Sequence, residues 1–224
     1  IDERPVSRYQ LMVAGLCALI VFVDGFDAQA MGFVAPALTA ALDIPRSVLG
    51  PVISSGLVGM MVGALVSGPV ADRIGRKPVL VAAALVFGVG SLLTATAQSI
   101  EALMAFRVLT GLGMGGAMPN AIALTSEYMP KRRRATAVTT MICGFSLGAA
   151  VGGLVAAAII PRFGWASVFV VGGVVPILIA GLAARLTAWK IQKQLATSPT
   201  AVVSVDTSPR PTKAAQIVDS IRGL

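Results

Sequence analysis

The sequence predicts an all-α membrane protein with six transmembrane helices, and three observations carry that prediction. Hydrophobic residues make up 56% of the 224-residue chain and charged residues only 12%, whereas about a quarter of the residues in soluble domains are charged. The mean hydropathy is +0.84. The chain also contains six charge-poor apolar stretches, each longer than the roughly 20 residues with which a helix crosses about 30 Å of hydrocarbon.

The predicted spans follow one another with short linkers between them. They cover residues 9–42, 47–71, 78–100, 102–126, 135–161 and 163–184. The first span is too long for a cleaved signal peptide, so we expect it to stay in the mature protein. After the sixth span the sequence becomes polar. We therefore divide the chain into a six-helix unit, residues 1–188, and a polar tail, residues 189–224, that is expected to be disordered.

The positions of the basic residues predict how the spans are oriented. Twelve of them fall on the N-terminal side of the spans and two on the opposite side: Arg4, Arg8, Arg73, Arg76, Lys77, Lys131, Arg132, Arg133, Arg134, Arg185, Lys190 and Lys193 against Arg46 and Arg162. The positive-inside rule then places the N-terminus in the cytoplasm. We expect a multi-pass protein of the inner (plasma) membrane. Because these residues sit at span ends, and form no exposed face with interleaved aromatic residues, we expect a lipid bilayer and no nucleic acid as partner.

Spans 1 to 3 and spans 4 to 6 share a sequence pattern. Met-Gly-x-x-x-Pro at residues 31–36 recurs at residues 114–119. Span 2 carries Gly59-x-x-x-Gly63, and span 5 carries glycines at the same spacing over residues 144–152. The order of these matches predicts a three-plus-three inverted repeat, a construction common in secondary transporters. The glycines predict closely packed helices.

Asp24 and Asp27 are the only charged residues within the first predicted span. A charge at the centre of a bilayer costs roughly 2.5 to 3.5 kcal/mol on insertion scales, so two of them indicate a function. At this spacing the side chains lie about 60° apart around the helix and about 4.5 Å apart along it, so both can face one cavity. We expect a proton or substrate site in which the two carboxylates titrate as a coupled pair.

Residues 68–77, GPVADRIGRK, form the predicted linker between spans 2 and 3. An aspartate at a span end can cap a neighbouring helix N-terminus and pair with arginine, which would hold one state of a gate. The run resembles the G-x-L-A-D-R-x-G-R-K loop of the major facilitator superfamily, with Val70 where leucine is usual. Arg107 and the spaced glycines that follow it resemble the fourth-helix pattern of that superfamily. This resemblance implies the N-terminal half of a twelve-span major facilitator fold.

Together with Asp24-Gly-Phe-Asp27, these motifs resemble the aromatic acid:proton symporter family over about residues 7–181. The resemblance implies proton-coupled uptake of aromatic carboxylates such as 4-hydroxybenzoate, with the proton as coupling ion and no other cofactor. It implies three sets of functional residues: Asp24, Asp27 and Arg107 for coupling; Gly68, Asp72, Arg73, Gly75 and Arg76 for gating; and Glu127 as a further polar position. Our span boundaries place Arg107 several ångströms nearer the outer face than Asp27, a gap that a benzoate-sized molecule could fill.

The length of the chain leaves alternatives open. Because only six spans are present, transport would require the missing C-terminal half or a second copy. A carrier for sugars or organic acids is the second interpretation, although the paired aspartates argue against sugar uniport. A membrane protein that binds a full-length relative without transporting is the third. We do not expect an enzyme or a histidine metal site, because the chain has no histidine and no nucleophile with a base beside it.

Overall fold

The computed structural model describes the backbone of residues 6–197 and the side chains of residues 6–185. Within that range the chain forms six α-helices: α1 (Arg8–Leu42), α2 (Leu49–Ile74), α3 (Arg76–Ala95), α4 (Ile100–Tyr128), α5 (Lys131–Phe163) and α6 (Ala166–Thr197). A short 3-10 helix, Arg46–Val48, leads into α2. All six helices are long and apolar enough to cross a membrane. The all-α, six-span prediction is confirmed.

Two helices differ from the predicted spans at their ends. α5 begins at Lys131, four residues before the predicted 135, because the basic residues form its first turn. α6 begins at Ala166, because Gly164 has a φ of 75° and ends α5 in a turn. The backbone of α6 continues to Thr197, past the predicted end of the span. Residues 198–224 of the predicted tail lie outside the described residues, so the division at residue 188 stays a prediction.

One end of the bundle, where α1, α3 and α5 begin, carries most of the basic residues, and we call it the basic end. The first turn of α1 is fixed there by a capping box: the Gln10 N–H donates to the Ser7 hydroxyl at 3.2 Å and the Ser7 N–H donates to Gln10 Oε1 at 2.8 Å. The Gln10 side-chain amide also donates to the carbonyl of Tyr128 at 2.7 Å. The start of α1 is therefore tied to the end of α4.

The helices pack through glycine, as the sequence predicts. A Cβ atom at Gly59 or Gly63 of α2 would collide with the backbone of α4, and a Cβ atom at Gly148 of α5 would collide with the carbonyl of Phe22 in α1. α3 and α6 also approach each other closely, at Gly88 and Gly173. In lipid, where no hydrophobic effect drives helices together, such close packing supplies much of the association energy.

The contacts agree with a three-plus-three repeat. α2 packs along α4, and α5 packs along α1. In a three-plus-three repeat α1 corresponds to α4 and α2 corresponds to α5, so these two contacts are equivalent. Each of α1 and α4 also contains the proline of the repeated Met-Gly-x-x-x-Pro pattern, Pro36 and Pro119. The central helices of the described bundle are therefore α1 and α4, and both lie against several neighbours.

The outer faces of α2 and α5 are apolar and uncovered within the described unit. Leu57 and Leu65 of α2 are 61% and 70% exposed, and Leu154 of α5 is 73% exposed. By contrast, every buried charged side chain of the described residues lies on α1 or α4. The polar centre thus lies inside the bundle, and the apolar faces point outward.

Candidate substrate and proton site

Three charged side chains are buried in the described part of the chain: Asp24, Asp27 and Arg107. The aspartates lie one turn apart in the middle of α1, and the arginine lies in the first half of α4. Isolated charges in such a position are very unfavourable, so buried charges in proteins are normally paired and hydrogen-bonded. The contacts of these three residues therefore define the site.

Asp27 and Arg107 form a buried ion pair. Arg107 Nη1 lies 3.0 Å from Asp27 Oδ2, and the side chains are 6% and 1% exposed. The hydroxyl of Ser91 in α3 lies 3.4 Å from Asp27 Oδ1 and 3.0 Å from the carbonyl of Phe169 in α6. Because a hydroxyl has one hydrogen, Ser91 divides it between the carboxylate and the closer carbonyl. Four helices thus meet at Asp27.

The guanidinium of Arg107 is held from its other side by an aromatic ring. Its Cζ atom lies 4.3 Å from the centroid of the Phe169 ring, well within the range of a cation–π contact. Its Nε and Nη2 atoms are buried and have no hydrogen-bond acceptor among the described residues. Unsatisfied buried donors cost about 1–3 kcal/mol each, and more when charged. Two of the three guanidinium nitrogens are therefore donors without an acceptor in this part of the chain.

An apolar cavity of about 110 Å³ lies beside this ion pair, between α1, α2 and α4. Asp27, Arg107 and Thr110 supply its polar groups. The rest of the lining is Ala28, Met31, Ile53, Gly56, Leu57, Met60, Gly111 and Met114. Methionine side chains are flexible, and their sulfur atoms make favourable contacts with aromatic rings. The cavity therefore combines an apolar, methionine-rich lining that can contact an aromatic ring with the guanidinium group of Arg107.

Asp24 has a different environment from Asp27. It is 1% exposed, neither of its carboxylate oxygens has a hydrogen-bond partner among the described residues, and it does not line the cavity that Asp27 lines. The prediction that both carboxylates can face one cavity therefore stays a prediction, and Asp27 alone of the two lines the cavity beside Arg107. A 60° separation on the helix is enough to direct one side chain at α4 and to leave the other in the packed interior.

The prediction of a gap between Asp27 and Arg107 is wrong. The long arginine side chain spans the offset between the two helices and contacts the carboxylate directly at 3.0 Å. A substrate would therefore bind next to the ion pair, on the cavity side, rather than between its members.

The residues that the sequence predicts to act in gating lie together at the basic end. Asp72 Oδ1 accepts a hydrogen bond from Arg76 Nη2 at 2.7 Å, and Arg76 Nε lies 3.8 Å from Glu127 Oε1 in α4. The predicted pairing of Asp72 with arginine is confirmed, whereas the predicted helix cap is not found, because Gly75 and Pro130 cap α3 and α5 without side-chain hydrogen bonds. The link from the α2–α3 turn to α4 runs through Arg76.

Two glycines and an arginine complete that loop. Gly75 has a φ of 95°, a conformation that other residues rarely adopt, so it sets the tight turn between α2 and α3. A Cβ atom at Gly68 would meet nothing within 4 Å, and Arg73 is exposed. The structure therefore gives Gly75 and Arg76 clear positional roles in this loop, whereas the roles of Gly68 and Arg73 stay predictions.

Sequence reasoning missed three residues of the site. Ser91 and Phe169 contact the ion pair, and Gly172 lets α6 approach so closely that a Cβ atom there would lie 3.6 Å from Asp27 Oδ1. A serine, a phenylalanine and a glycine within apolar spans carry no local signal. Only the packing of α3 and α6 against α1 reveals them.

The chain combines a six-helix fold, a buried ion pair and a charged loop, and comparison with known proteins shows its family. Residues 17–216 match the family model described as Major Facilitator Superfamily, and the chain belongs to that family. It is 56% identical to the 4-hydroxybenzoate transporter PcaK of Pseudomonas putida over 180 residues, which cover 80% of this chain and 40% of that protein.

A gallate transporter of Pseudomonas putida is 45% identical over 182 residues, 81% of this chain and 40% of that protein. The chain thus spans about 40% of the length of these two relatives. The inward-open xylose transporter XylE from E. coli superposes with a TM-score of 0.68 over 96% of this chain and 56% of that chain, at 20% identity. That likeness concerns the fold alone, and it supports the prediction of half a major facilitator fold.

Proposed function

We propose that this chain forms the N-terminal half of a proton-coupled carrier that takes up aromatic carboxylates such as 4-hydroxybenzoate. The observation that carries the proposal is Arg107, a buried arginine with two unpaired nitrogens at the edge of an apolar cavity. The names of the similar proteins, a 4-hydroxybenzoate transporter and a gallate transporter, support the same substrate class.

The cavity suits the two ends of such a substrate. The carboxylate would accept hydrogen bonds from Arg107, the side chain best suited to bind a planar anion through two parallel bonds. The ring would contact Met31, Met60 and Met114. A closed cavity of about 150 Å³ holds a benzene molecule, so the 110 Å³ beside Arg107 provides most, but not all, of the space for a ring. The second half of the carrier would supply the remaining wall.

Charge balance explains why a proton would accompany the substrate. The three buried charged groups are two acids and one base, so the ionised site has no spare positive charge for a carboxylate. Uptake of one proton by the aspartates makes the site neutral overall, and the substrate anion is then no longer repelled. The proton is therefore the coupling ion of the proposal, and it involves no other cofactor.

The positions of the basic residues support an orientation of the proposed carrier in the membrane. We place the basic end in the cytoplasm and the six helices in the inner (plasma) membrane, because basic linkers are retained on the cytoplasmic side. Asp72, Arg76 and Glu127 would then control the cytoplasmic gate by tying the α2–α3 turn to α4. The partner that completes the cavity is a C-terminal six-helix half or a second copy of this chain.

A carrier for sugars or other organic acids is the alternative that the sequence analysis leaves open. The site favours a carboxylate, because a neutral sugar would leave the unpaired guanidinium nitrogens without a charged acceptor. The apolar lining of the cavity also offers few hydrogen-bonding groups for sugar hydroxyls.

The test uses the 224-residue chain produced together with the second half of the P. putida 4-hydroxybenzoate transporter, in cells that lack uptake of the acid. We expect accumulation of labelled 4-hydroxybenzoate that a protonophore abolishes. Arg107→Gln should abolish uptake, and Arg46→Gln, which changes an exposed arginine at the other end of the bundle, should not. Undiminished uptake by Arg107→Gln would contradict the proposal. Inhibition of a full-length relative without uptake would favour the non-transporting interpretation.

A further inference from the structure

We infer that the two carboxylates of the Asp-Gly-Phe-Asp sequence have separate roles: Asp24 holds the transported proton, and Asp27 is the permanent counter-ion of Arg107. The inference rests on the proposed function and deepens it, because it names the proton site. Sequence reasoning treats the two residues as an equivalent pair, and the difference appears only in their contacts.

Asp27 is satisfied as an ionised group. Its Oδ2 atom accepts from Arg107 Nη1 at 3.0 Å, and its Oδ1 atom lies 3.4 Å from the hydroxyl of Ser91. An arginine within hydrogen-bond distance stabilises the charged form of a carboxyl. Protonation of Asp27 would leave Arg107 as an unpaired buried cation, which is the most unfavourable state available to this site. These contacts assign Asp27 as the counter-ion of Arg107.

Asp24 is unsatisfied as an ionised group. It is 1% exposed, and neither of its oxygens accepts a hydrogen bond. A buried carboxylate without donors is far costlier than a buried carboxylic acid, so such a group takes up a proton instead of remaining charged. The contacts seen here are those of a neutral Asp24.

The neighbouring helices bring no charge that would change this balance. On its own helix Asp24 faces Asp27, whose negative charge disfavours a second one. From α4 the buried charged side chain is Arg107, which Asp27 already neutralises. Within the described side chains, α2, α3, α5 and α6 contribute no charged residue to the buried set; their arginines, lysines and acids lie nearer the helix ends.

The two carboxylates lie at different distances from the basic end of the bundle. Asp24 precedes Asp27 by three residues, so it lies about 4.5 Å nearer that end. If a change of conformation admitted water from the basic end, the water would reach Asp24 before it reached the ion pair. The proton would then leave while Arg107 kept its counter-ion.

The test needs neither a substrate nor a second half. The chain is reconstituted in lipid vesicles, and infrared spectroscopy near neutral pH follows the C=O stretching band of a protonated carboxyl in an apolar environment. We expect this band in the unmodified chain, its complete loss in Asp24→Asn, and its retention in Asp72→Asn, which removes an exposed carboxylate. Absence of the band from the unmodified chain, or its survival in Asp24→Asn, would overturn the inference.

A second measurement avoids any variant that fails to fold. A hydrophobic carbodiimide reacts with protonated carboxyl groups in apolar surroundings, and mass spectrometry locates the adduct. We expect it on Asp24, and an adduct on Asp27 alone would refute the assignment. If Asp24 shows the C=O band and the carbodiimide adduct but the completed carrier takes up no 4-hydroxybenzoate, the proposed function alone is rejected. Proton-coupled uptake without a protonated Asp24 would reject this inference only.

Discussion

Replacing Asp27 by Asn removes one member of a buried ion pair, and the structure sets the expected size of the effect. The pair is nearly inaccessible to solvent, with side chains 1% and 6% exposed. Breaking such a pair costs about 3–5 kcal/mol, because the remaining charge is left buried without a partner. We therefore expect Asp27→Asn to lower the free energy of unfolding of the six-helix unit by about that amount and to abolish proton-coupled uptake.

The matched control is Asp72→Asn. Asp72 also pairs with an arginine, at 2.7 Å, but its side chain is 66% exposed. Exposed ion pairs contribute only about 0–1 kcal/mol. The two substitutions remove the same carboxylate from the same kind of partner, so the difference between them isolates the effect of burial.

The assay is denaturant-induced unfolding of the purified chain in lipid bicelles, followed by tryptophan fluorescence. A third variant, Asp27→Leu combined with Arg107→Met, replaces the pair by apolar side chains. Because such replacements are often neutral or stabilising, this double variant should be markedly more stable than Asp27→Asn while still failing to transport. Equal stability of Asp27→Asn and Asp72→Asn would refute the reasoning, since it would mean that Arg107 has no need of Asp27.

Three further predictions concern packing, the aromatic contact and the gate. Gly148→Ala should destabilise the bundle by about 1–3 kcal/mol, because its methyl group would overlap the carbonyl of Phe22. Gly32→Ala, with nothing within 4 Å, should be neutral or stabilising in the same unfolding assay. Phe169→Leu removes a cation–π contact worth about 0.5–2 kcal/mol; in the completed carrier we expect weaker substrate binding, measured by calorimetry, and unchanged binding would contradict that role. Asp72→Asn should lower the rate of uptake without changing substrate affinity, because it alters the balance of gate states; parallel losses of both would place Asp72 in the site or in folding.

The sequence was sufficient to predict the six helices and to single out the three charged residues that the structure buries, for a reason that particular positions illustrate. Spans are visible because the bilayer demands long apolar stretches, and Asp24, Asp27 and Arg107 are visible because charges within such stretches are unfavourable. Both kinds of signal are local.

The arrangement of those residues was not predictable, because it depends on contacts between distant helices. The direct contact of Arg107 with Asp27 depends on the relative height of α1 and α4, which span boundaries give only to within a turn. The roles of Ser91 and Phe169 depend on how α3 and α6 rotate against α1. A serine or a phenylalanine that contacts the ion pair looks, in the sequence, like any other such residue within an apolar span.

The uncovered apolar faces of α2 and α5 affect how this half can be handled. In water, such faces would drive aggregation of an isolated half. In a bilayer they meet acyl chains as apolar as leucine, so the hydrophobic effect imposes no penalty on a half that is made alone. The close helix contacts at Gly59, Gly63 and Gly148 all lie within the described six-helix unit. A split carrier, its two halves synthesised separately and joined within the membrane, is therefore an accessible experimental system for this protein.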